Sequence, residues 1–177
     1  MSKPEHILGI DFGTTNSYFC KYLSNPDGHK IRTIDFGNQQ MGGMPSTILY
    51  RKAKTPVVGK TAEEEWGEAS PSERRSYDLR THFKPDITRS EEARSDAVNF
   101  LDTIRKQAEA RRIDFSPQKH HVIIGIPGEA DDEFKHAVQD IAEKAGYGTV
   151  RLVYEPIGAL LYHLWNKDIS PAETQRG

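Results

Sequence analysis

An acidic residue and a turn of small polar residues stand together near the start of the chain. Asp11 ends an apolar run, and Gly13, Thr14, Thr15 and Asn16 precede a second apolar run. A glycine-containing turn can direct several backbone N–H groups at an anion, and a neighbouring carboxylate can face a hydrated metal ion. These residues therefore indicate a site for phosphate and a divalent cation, although the same pattern also occurs in hairpin tips that bind no ligand.

The residues that follow this turn distinguish it from the common phosphate loops. A P-loop continues with Lys and Ser or Thr into a helix, and a dinucleotide-binding loop has three spaced glycines before a helix. Here Tyr18, Phe19, Cys20 and Tyr22 form a run that is typical of a strand. The sequence therefore predicts a strand, a turn and a second strand over residues 7 to 22.

The last third of the chain has the pattern of two strand–helix units. The apolar run HHVIIGIPG (120–128) predicts a buried strand. Asp131 suits the start of a helix, Gly146 suits its end, and TVRLVYE (149–155) predicts another strand. Pro156 is placed for the first turn of a final helix. The predicted helices cover 91–112, 131–145 and 156–166.

The pattern between the first turn and the first long helix is weaker. Strands are predicted around IRTIDF (31–36) and STILYRK (46–52), paired antiparallel, and PVVGK (56–60) follows them. The opening sixty residues are therefore predicted to form a meander. Charged residues dominate from 61 to 94, and EASPSERRS (68–76) predicts a loop or a mobile segment.

The composition argues against several classes of protein. The 177 residues include 24 basic and 26 acidic ones, and the net charge of −2 favours neither nucleic acid nor an anionic membrane as the main partner. No stretch approaches the roughly 20 apolar residues that cross a bilayer. Cys20 is the single cysteine, which precludes an internal disulfide framework. Because the chain also starts without an apolar signal segment, we expect a cytoplasmic protein.

Two segments that are far apart in the chain resemble one family of proteins. GIDFGTTNS (9–17) is similar to the first phosphate motif of the 70-kilodalton heat-shock chaperones of the DnaK type, in the actin-like ATPase superfamily. Residues 122–163 are similar to the family segment that runs from a Val-Pro turn through a helix to a strand ending in Glu-Pro. MPSTILY (44–50) and VVGKTAEEE (57–65) also resemble the family, so the likeness covers most of the chain.

The resemblance implies a site for ATP or ADP. The turn from Gly13 to Asn16 would contact the β- and γ-phosphates, Asp11 would belong to the Mg²⁺ shell, and Glu155 would be a catalytic carboxylate near the attacking water. Such sites act by electrostatic clamping of the γ-phosphoryl group and by placing a water molecule. From the residues alone, Glu155 is equally explained as an acid ahead of a helix.

The family also has a lysine that bridges the attacking water and the γ-phosphate, and its position in this chain is open. The segment SYDLRTHFKP (76–85) offers Arg80 or, after a shift, Lys84. An arginine can stabilise charge with two hydrogen bonds but cannot donate a proton near neutral pH. Arg80 is the catalytic candidate in register and Lys84 is the alternative, while either one could instead be a solvated surface charge.

Five further residues are candidates for a functional role, and most of them also have a purely structural explanation. In the family, the proline of the Val-Pro turn and a basic residue eight positions on relay the nucleotide state to the peptide-binding domain, and Pro127 and Lys135 match them. Pro127 could also simply end a strand. His120 and His121 suggest a metal site, but no third ligand stands at a recognisable spacing. Cys20, on an apolar strand, is predicted to be a small core residue and not a nucleophile.

The resemblance also implies a fold. It is an α/β lobe of the ribonuclease H-like, actin-like ATPase type, with a mixed five-stranded sheet flanked by helices. Residues 1–39 and 119–177 would form the sheet subdomain, and residues 40–118 a smaller peripheral subdomain. The family's second phosphate motif, Asp-x-Gly-Gly-Gly-Thr, does not occur before Gly177. We therefore expect an excised first lobe whose second lobe is missing, and a natural half-protein is the alternative.

The expected function is that of the N-terminal lobe of a DnaK-like chaperone ATPase that is inactive alone. ATP/ADP and Mg²⁺ would be cofactors of the longer protein. The expected partners are nucleotide, the second lobe and, through the longer protein, unfolded client peptides and co-chaperones. The alternatives are a non-catalytic binding or scaffolding module, or half of a filament protein or sugar kinase. The Glu-Pro segment favours the chaperone branch, and the open lysine position keeps the non-catalytic module in consideration.

Overall fold

A computed structural model describes residues 6–25, 28–34, 36, 43–118 and 120–165. Its strands are β1 (His6–Asp11), β2 (Asn16–Asn25), β3 (Gly28–Thr33), β4 (Met44–Pro45), β5 (Thr47–Arg51), β6 (Lys54–Val58), β7 (Tyr77–Thr81), β8 (His120–Ile126) and β9 (Val150–Tyr154). Its helices are α1 (Lys60–Glu68), α2 (Pro71–Arg74), α3 (Glu91–Ala110), α4 (Asp132–Lys144) and α5 (Glu155–Trp165), with a 3-10 turn at Lys84–Asp86. In these ranges, no helix combines the length and the apolar character needed to cross a membrane.

β1 lies at the centre of a mixed sheet. The strand order is β3-β2-β1-β8-β9, and β4 pairs with β2 beside this path. β1, β2 and β3 are antiparallel neighbours, whereas β8 runs parallel to both β1 and β9. The mixed α/β class predicted from the sequence is confirmed, and the two-residue strand β4 adds a sixth strand to the predicted five.

One face of the central sheet forms the core of the molecule. Leu8 and Ile10 of β1 and Ile124 of β8 are almost fully buried, and they belong to the same apolar cluster as Leu101 and Ile104 of α3. Residues two apart on a strand share a face, so this alternation places the residues between them on the opposite side. The predicted burial of β1 and of the α3 stripe is confirmed.

The three predicted helices are confirmed to within two residues at each end. α4 begins after Asp131, whose carboxylate accepts a hydrogen bond of 2.8 Å from the Phe134 N–H. α3 begins after Ser90, whose hydroxyl oxygen accepts one of 3.1 Å from the Ala93 N–H. Such side-chain caps satisfy N–H groups that have no partner within the helix. Gly146, with a φ of 86°, follows the end of α4 as predicted.

The predicted meander over the first sixty residues is confirmed for β1, β2 and β3, which pair antiparallel in sequence order, but the predicted pairing of β3 with β5 is wrong. β3 pairs with β2, and β5 belongs to a separate antiparallel sheet of order β6-β5-β7. The physical reason is that β6 and β7 occupy the two hydrogen-bonding edges of β5, so neither edge is left for β3. Thr47, Ile48 and Leu49 of β5 are buried in succession, which means that both faces of this strand are also covered.

The segment 68–76, predicted to be a loop or mobile, instead contains the end of α1 and all of α2. Ser70 and Glu73 form a capping box in which the Ser70 hydroxyl accepts from the Glu73 N–H and the Glu73 carboxylate accepts from the Ser70 N–H. Pro71 occupies the first helical position between them. A serine followed three positions on by glutamate is a recognised helix start, which the high charge of the segment obscured.

Candidate functional site

Strand register brings two acids to one edge of the central sheet. Asp11, the last residue of β1, pairs with Gly125 of β8. Tyr154, the last residue of β9, pairs with Ile126, and Glu155 follows it as the first residue of α5. Because β1, β8 and β9 run parallel, their carboxyl ends meet at the same edge, which is where α/β sheets usually bind ligands.

The two acids interact electrostatically. Burial raises the pKa of Asp11 above its usual range, the negative charge of Glu155 raises it further, and the positive charge of Lys84 opposes both effects. A bound cation would relieve this repulsion. Across the described ranges, no group of three or more His, Cys, Asp and Glu side chains could hold a metal ion. A Mg²⁺ ion does not need such a group, because it keeps several of its waters and binds to a protein through only one or two carboxylates.

The turn between β1 and β2 has no room for a side chain at its glycine. A Cβ atom at Gly13 would lie 1.9 Å from the carbonyl oxygen of Asn16, so another residue would break the turn. Thr14 is half-buried and Thr15 is exposed. The turn begins two residues after Asp11, so its backbone starts close to that carboxylate.

A second segment supports the turn from β4. Asn16 and Pro45 are register partners in the antiparallel pair of β2 and β4. The Ser46 hydroxyl donates a hydrogen bond of 2.7 Å to the Gly13 carbonyl, and the Ser46 N–H donates one of 2.8 Å to the Thr15 carbonyl. The conformation of the turn is therefore fixed by residues thirty positions away in sequence.

Lys84 reaches the same edge from the 3-10 turn after β7. Its side chain is buried, and its Nζ lies 3.4 Å from Oε1 of Glu155 and 5.7 Å from the centre of the Phe12 ring. A buried ammonium group needs compensating partners, and here a carboxylate and an aromatic face supply them. The alternative of a solvated surface charge is wrong for Lys84.

Arg80 lies on β7 and has different partners. Its Nη2 is 2.7 Å from Oδ2 of Asp78 and 2.6 Å from Oε1 of Glu92, and its side chain is 35% exposed. The structure joins Glu155 to Lys84 and does not bring Arg80 to it. The two candidates for the family's lysine thus lie in different surroundings, and only Lys84 contacts the candidate site.

A cleft of about 540 Å³ opens between this sheet edge and α5. Asp11 and Glu155 line it, and Gly9, Gly125 and Gly158 provide the space because they have no side chains. A Cβ atom at Gly125 would already touch Glu155 Cγ at 3.4 Å. The cleft therefore leads from the acids along the face of the sheet that lies opposite the core.

Cys20 lines the same cleft as the two acids, whereas the two histidines lie at the start of β8. Cys20 is half-buried in the cleft, a Cβ atom at Gly9 would meet its Sγ at 2.6 Å, and burial raises the pKa of its thiol. A protonated thiol is a poor nucleophile. The predicted core position of Cys20 is wrong, because the residue is half-buried and lines the cleft on the face of the sheet opposite the core. His120 is buried at the start of β8 and stacks on His6, while His121 is exposed.

Pro127 and Lys135 both lie close to the final strand–helix unit, which consists of β9 and α5. Pro127 directly follows β8, and the next residue, Gly128, approaches Pro156 of α5. Lys135, on α4, pairs with Asp132 at 2.8 Å, and its Nζ lies 5.7 Å from the centre of the Tyr154 ring. Lys135 therefore contacts the residue that immediately precedes Glu155.

Sequence reasoning missed the parts of the site that act through tertiary contacts. Ser46 and Phe12 lie inside segments that the family resemblance includes, but neither residue type signals its role there. A buried serine that bonds to a distant carbonyl has no local pattern. Lys84 had no local signal either, because its burial depends on the 3-10 turn at Lys84–Asp86 that follows β7.

Comparisons with known proteins bear on this site. No family model matches the chain. The chain is 28% identical over 174 residues to the chaperone protein DnaK of Methanothermobacter thermautotrophicus. The matched region covers 95% of this chain and 28% of that protein. It is 24% identical over 176 residues to the chaperone protein DnaK of Metamycoplasma hominis, covering 93% of this chain and 26% of that protein. The chain thus spans about a quarter of these relatives, and the similarities support a relation to the 70-kilodalton heat-shock chaperones.

Proposed function

We propose that this chain is the first lobe of the nucleotide-binding domain of a cytoplasmic DnaK-like chaperone, with the ribonuclease H-like fold of the actin-like ATPases. The observation that carries the proposal is the convergence of Asp11, Lys84 and Glu155 beside the turn from Gly13 to Asn16. The strand order β3-β2-β1-β8-β9 supports the fold, and the similarity to two DnaK proteins supports the family.

The proposal includes the predicted division of the chain. Residues 1–39 and 119–177 would form the sheet subdomain, and residues 40–118 the peripheral one. The separate three-stranded sheet of β5, β6 and β7 supports such a division. α3 contacts both β6 and α4, so this helix would join the two parts.

Each residue of the site has a role that follows from its chemistry. Backbone N–H groups of the turn from Gly13 to Asn16 would bind phosphate oxygens. Asp11 fits a hydrated Mg²⁺ ion, which neutralises phosphate charge when it is bound. Glu155 would orient the attacking water by accepting its hydrogen bond. Lys84 would stabilise negative charge on the phosphoryl group, which is the role that the sequence assigned to Arg80.

The second lobe is the proposed partner of α5. Ile157, Leu160 and Leu161 are 49%, 42% and 58% exposed and lie three and four positions apart, so they form an apolar stripe. A lobe packed on this stripe would cover it and exclude water from the cleft. We therefore expect weak nucleotide binding and no measurable hydrolysis by this chain alone. Client peptides and co-chaperones would act through the longer protein.

Nucleotide titration followed by backbone amide NMR tests the binding site. Mg-ADP and Mg-ATP should shift the amides from Gly13 to Asn16. Thr14→Ala should weaken binding by about 1 to 3 kcal/mol, because its hydroxyl faces the phosphates. Glu155→Ala should bind almost as well as the wild-type chain. If neither nucleotide moves these amides, nucleotide binding is the wrong function and the scaffolding module becomes the better explanation.

Single-turnover hydrolysis in the longer protein tests the assignment of the catalytic residues. Glu155→Ala and Lys84→Ala should each lower the rate by roughly 10²-fold or more with little change in nucleotide affinity. Arg80→Ala is the matched control, since Arg80 pairs with Asp78 and Glu92. Its rate should stay within about threefold of wild type. A large loss in Arg80→Ala together with an active Lys84→Ala would reverse the assignment.

A further inference from the structure

Ser46 contacts the phosphate turn at two points. Its side chain is 2% exposed, its Oγ lies 2.7 Å from the Gly13 carbonyl oxygen, and its backbone N lies 2.8 Å from the Thr15 carbonyl oxygen. Ser46 is the donor in both hydrogen bonds, because carbonyl oxygens can only accept. Since Thr14 lies between the two carbonyls, Ser46 holds the turn on both sides of that residue.

A second buried serine fixes the direction of the Ser46 hydroxyl. Ser17 is fully buried, and its Oγ lies 2.9 Å from the Ser46 Oγ. A serine hydroxyl has one proton, and Ser46 uses its proton on the Gly13 carbonyl. Ser17 must therefore donate to Ser46. The hydrogen bonds run in one direction, from Ser17 through Ser46 to the backbone of the turn.

These bonds determine where the neighbouring N–H groups point. In a trans peptide unit the C=O bond and the following N–H bond point in opposite directions. Because the Gly13 and Thr15 carbonyls point at Ser46, the N–H groups of Thr14 and Asn16 point away from it. We infer that Ser46 is a positioning residue that orients these two donors toward a phosphate-bearing ligand. This inference rests on the proposed function, which assigns those N–H groups to phosphate.

Two alanine variants separate positioning from general stabilisation. Ser46→Ala removes the bond to Gly13 and also the acceptor of the Ser17 hydroxyl. Ser17→Ala removes only the bond between the two hydroxyls and leaves Ser46 able to donate to Gly13. Ser46→Ala loses two hydrogen bonds and Ser17→Ala loses one, so Ser46→Ala should lose more global stability, and urea unfolding of each variant measures that loss separately from the exchange at the turn. Only Ser46→Ala releases the peptide plane between Gly13 and Thr14.

Amide hydrogen exchange in the ligand-free chain tests the positioning. We expect the Thr14 amide to exchange about 5- to 10-fold faster in Ser46→Ala than in the wild-type chain, and Ser17→Ala to stay close to wild type. The Asn16 amide is the internal reference, because the backbone N–H of residue 46 still bonds to the Thr15 carbonyl in the alanine variant. Ser46→Cys keeps a weaker donor and should give an intermediate rate, even if Ser46→Ala fails to fold. Unchanged rates in both position-46 variants, or equal acceleration in Ser17→Ala, would overturn the inference.

Titration with Mg-ADP distinguishes a failure of this inference from a failure of the proposed function. Ser46→Ala should bind Mg-ADP about 5- to 10-fold more weakly than Ser17→Ala, while adenosine, which has no phosphate, should not distinguish the two variants. Equal Mg-ADP affinities would overturn the inference. If the wild-type chain binds no nucleotide, the proposed function fails, and the exchange rates alone decide whether Ser46 positions the turn.

Discussion

The central sheet and the three-stranded sheet differ in the side chains that hold them to the rest of the molecule. Leu8 of β1, Ile124 of β8 and Leu101 of α3 are at most 1% exposed and share one apolar core. In the three-stranded sheet, the Tyr50 hydroxyl donates to Oδ1 of Asp96 at 2.7 Å and accepts from Nδ2 of Asn99 at 2.9 Å. Apolar packing covers the central sheet, whereas the three-stranded sheet combines the apolar packing of Ile48 and Val58 in the same core with a polar network that ties it to α3.

This difference predicts how the stability of each region should depend on pH and salt. Burial of apolar surface does not depend on the ionisation of any side chain. Hydrogen bonds to a buried carboxylate depend on its charge, and ion pairs near the surface weaken as salt rises. We therefore expect truncations to matter most in the central sheet, and polar substitutions, pH and salt to distinguish the regions.

The largest expected effect is truncation in the core of the central sheet. Ile124→Ala should lower the free energy of unfolding by about 2 to 5 kcal/mol, because it removes buried methylene groups and leaves a cavity. Urea unfolding measures the loss. Leu161→Ala is the control, since Leu161 is 58% exposed on α5, and it should change stability by less than about 0.5 kcal/mol. Equal losses would contradict the position of the core.

The next effect lies in the polar network of the three-stranded sheet. Tyr50→Phe should cost about 1 to 3 kcal/mol, because Asp96 and Asn99 each lose a partner in a buried setting. Tyr18→Phe serves as the control, since Tyr18 is 40% exposed, and urea unfolding should show little change. A Tyr50→Phe variant as stable as wild type would mean that the apolar residues of this sheet suffice.

A pH titration sharpens the comparison at the far end of the central sheet. Burial lowers the pKa of His120, Lys21 and His6 lower it further, and its hydrogen bond to the Ser116 carbonyl and the charge of Asp114 oppose the shift. A base with a lowered folded pKa contributes stability that is present above its unfolded pKa, about 6.5, and is lost as pH falls below that value.

Urea midpoints measured from about pH 7.5 down to about pH 5 should therefore fall in the wild-type chain. His120→Phe removes the group that must be protonated, so its midpoints should fall less steeply over the same range. Parallel curves for the two proteins would show that His120 is not the cause of the acid sensitivity.

The smallest expected effect is an ion pair beside the three-stranded sheet. Nη1 of Arg51 lies 2.8 Å from Oε2 of Glu65, and both side chains are partly exposed. Glu65→Gln should cost about 0.2 to 1 kcal/mol at low salt, and the difference from wild type should shrink at about 1 M salt. A difference that salt leaves unchanged would point to the hydrogen bonds of Glu65 and away from its charge.

The contrast between the central sheet and the three-stranded sheet also explains which parts of the fold could be predicted from the sequence. Strands β1 and β8 and helices α3 to α5 have regular apolar spacing and clear caps, so their type and bounds followed from the pattern. The meeting of Asp11 and Glu155 follows from parallel strands that end at one edge. The choice between Arg80 and Lys84 could not be made from the sequence, because it depends on where β7 ends and on the 3-10 turn that follows it.

The region from 61 to 94 was harder to predict for a physical reason. Its helices and strand are short, and polar contacts hold them, so their residues look like those of a solvated loop. Ser70 and Glu73 carried a helix-start signal, but a contact such as that of Lys84 with Glu155 joins residues seventy-one positions apart. Side chains that act only after distant segments meet leave no local pattern.

The order of the central sheet also has a consequence for how the chain is made. β1 ends at Asp11, and its parallel neighbour β8 begins at His120, so about a hundred residues separate two adjacent strands. A ribosome adding roughly 5 to 20 residues per second needs on the order of 10 s to span that interval. Until then Leu8 and Ile10 lack their cover and one edge of β1 stays open. An unpaired apolar edge readily pairs with other chains, so a translational pause before residue 120 should promote aggregation of the nascent chain.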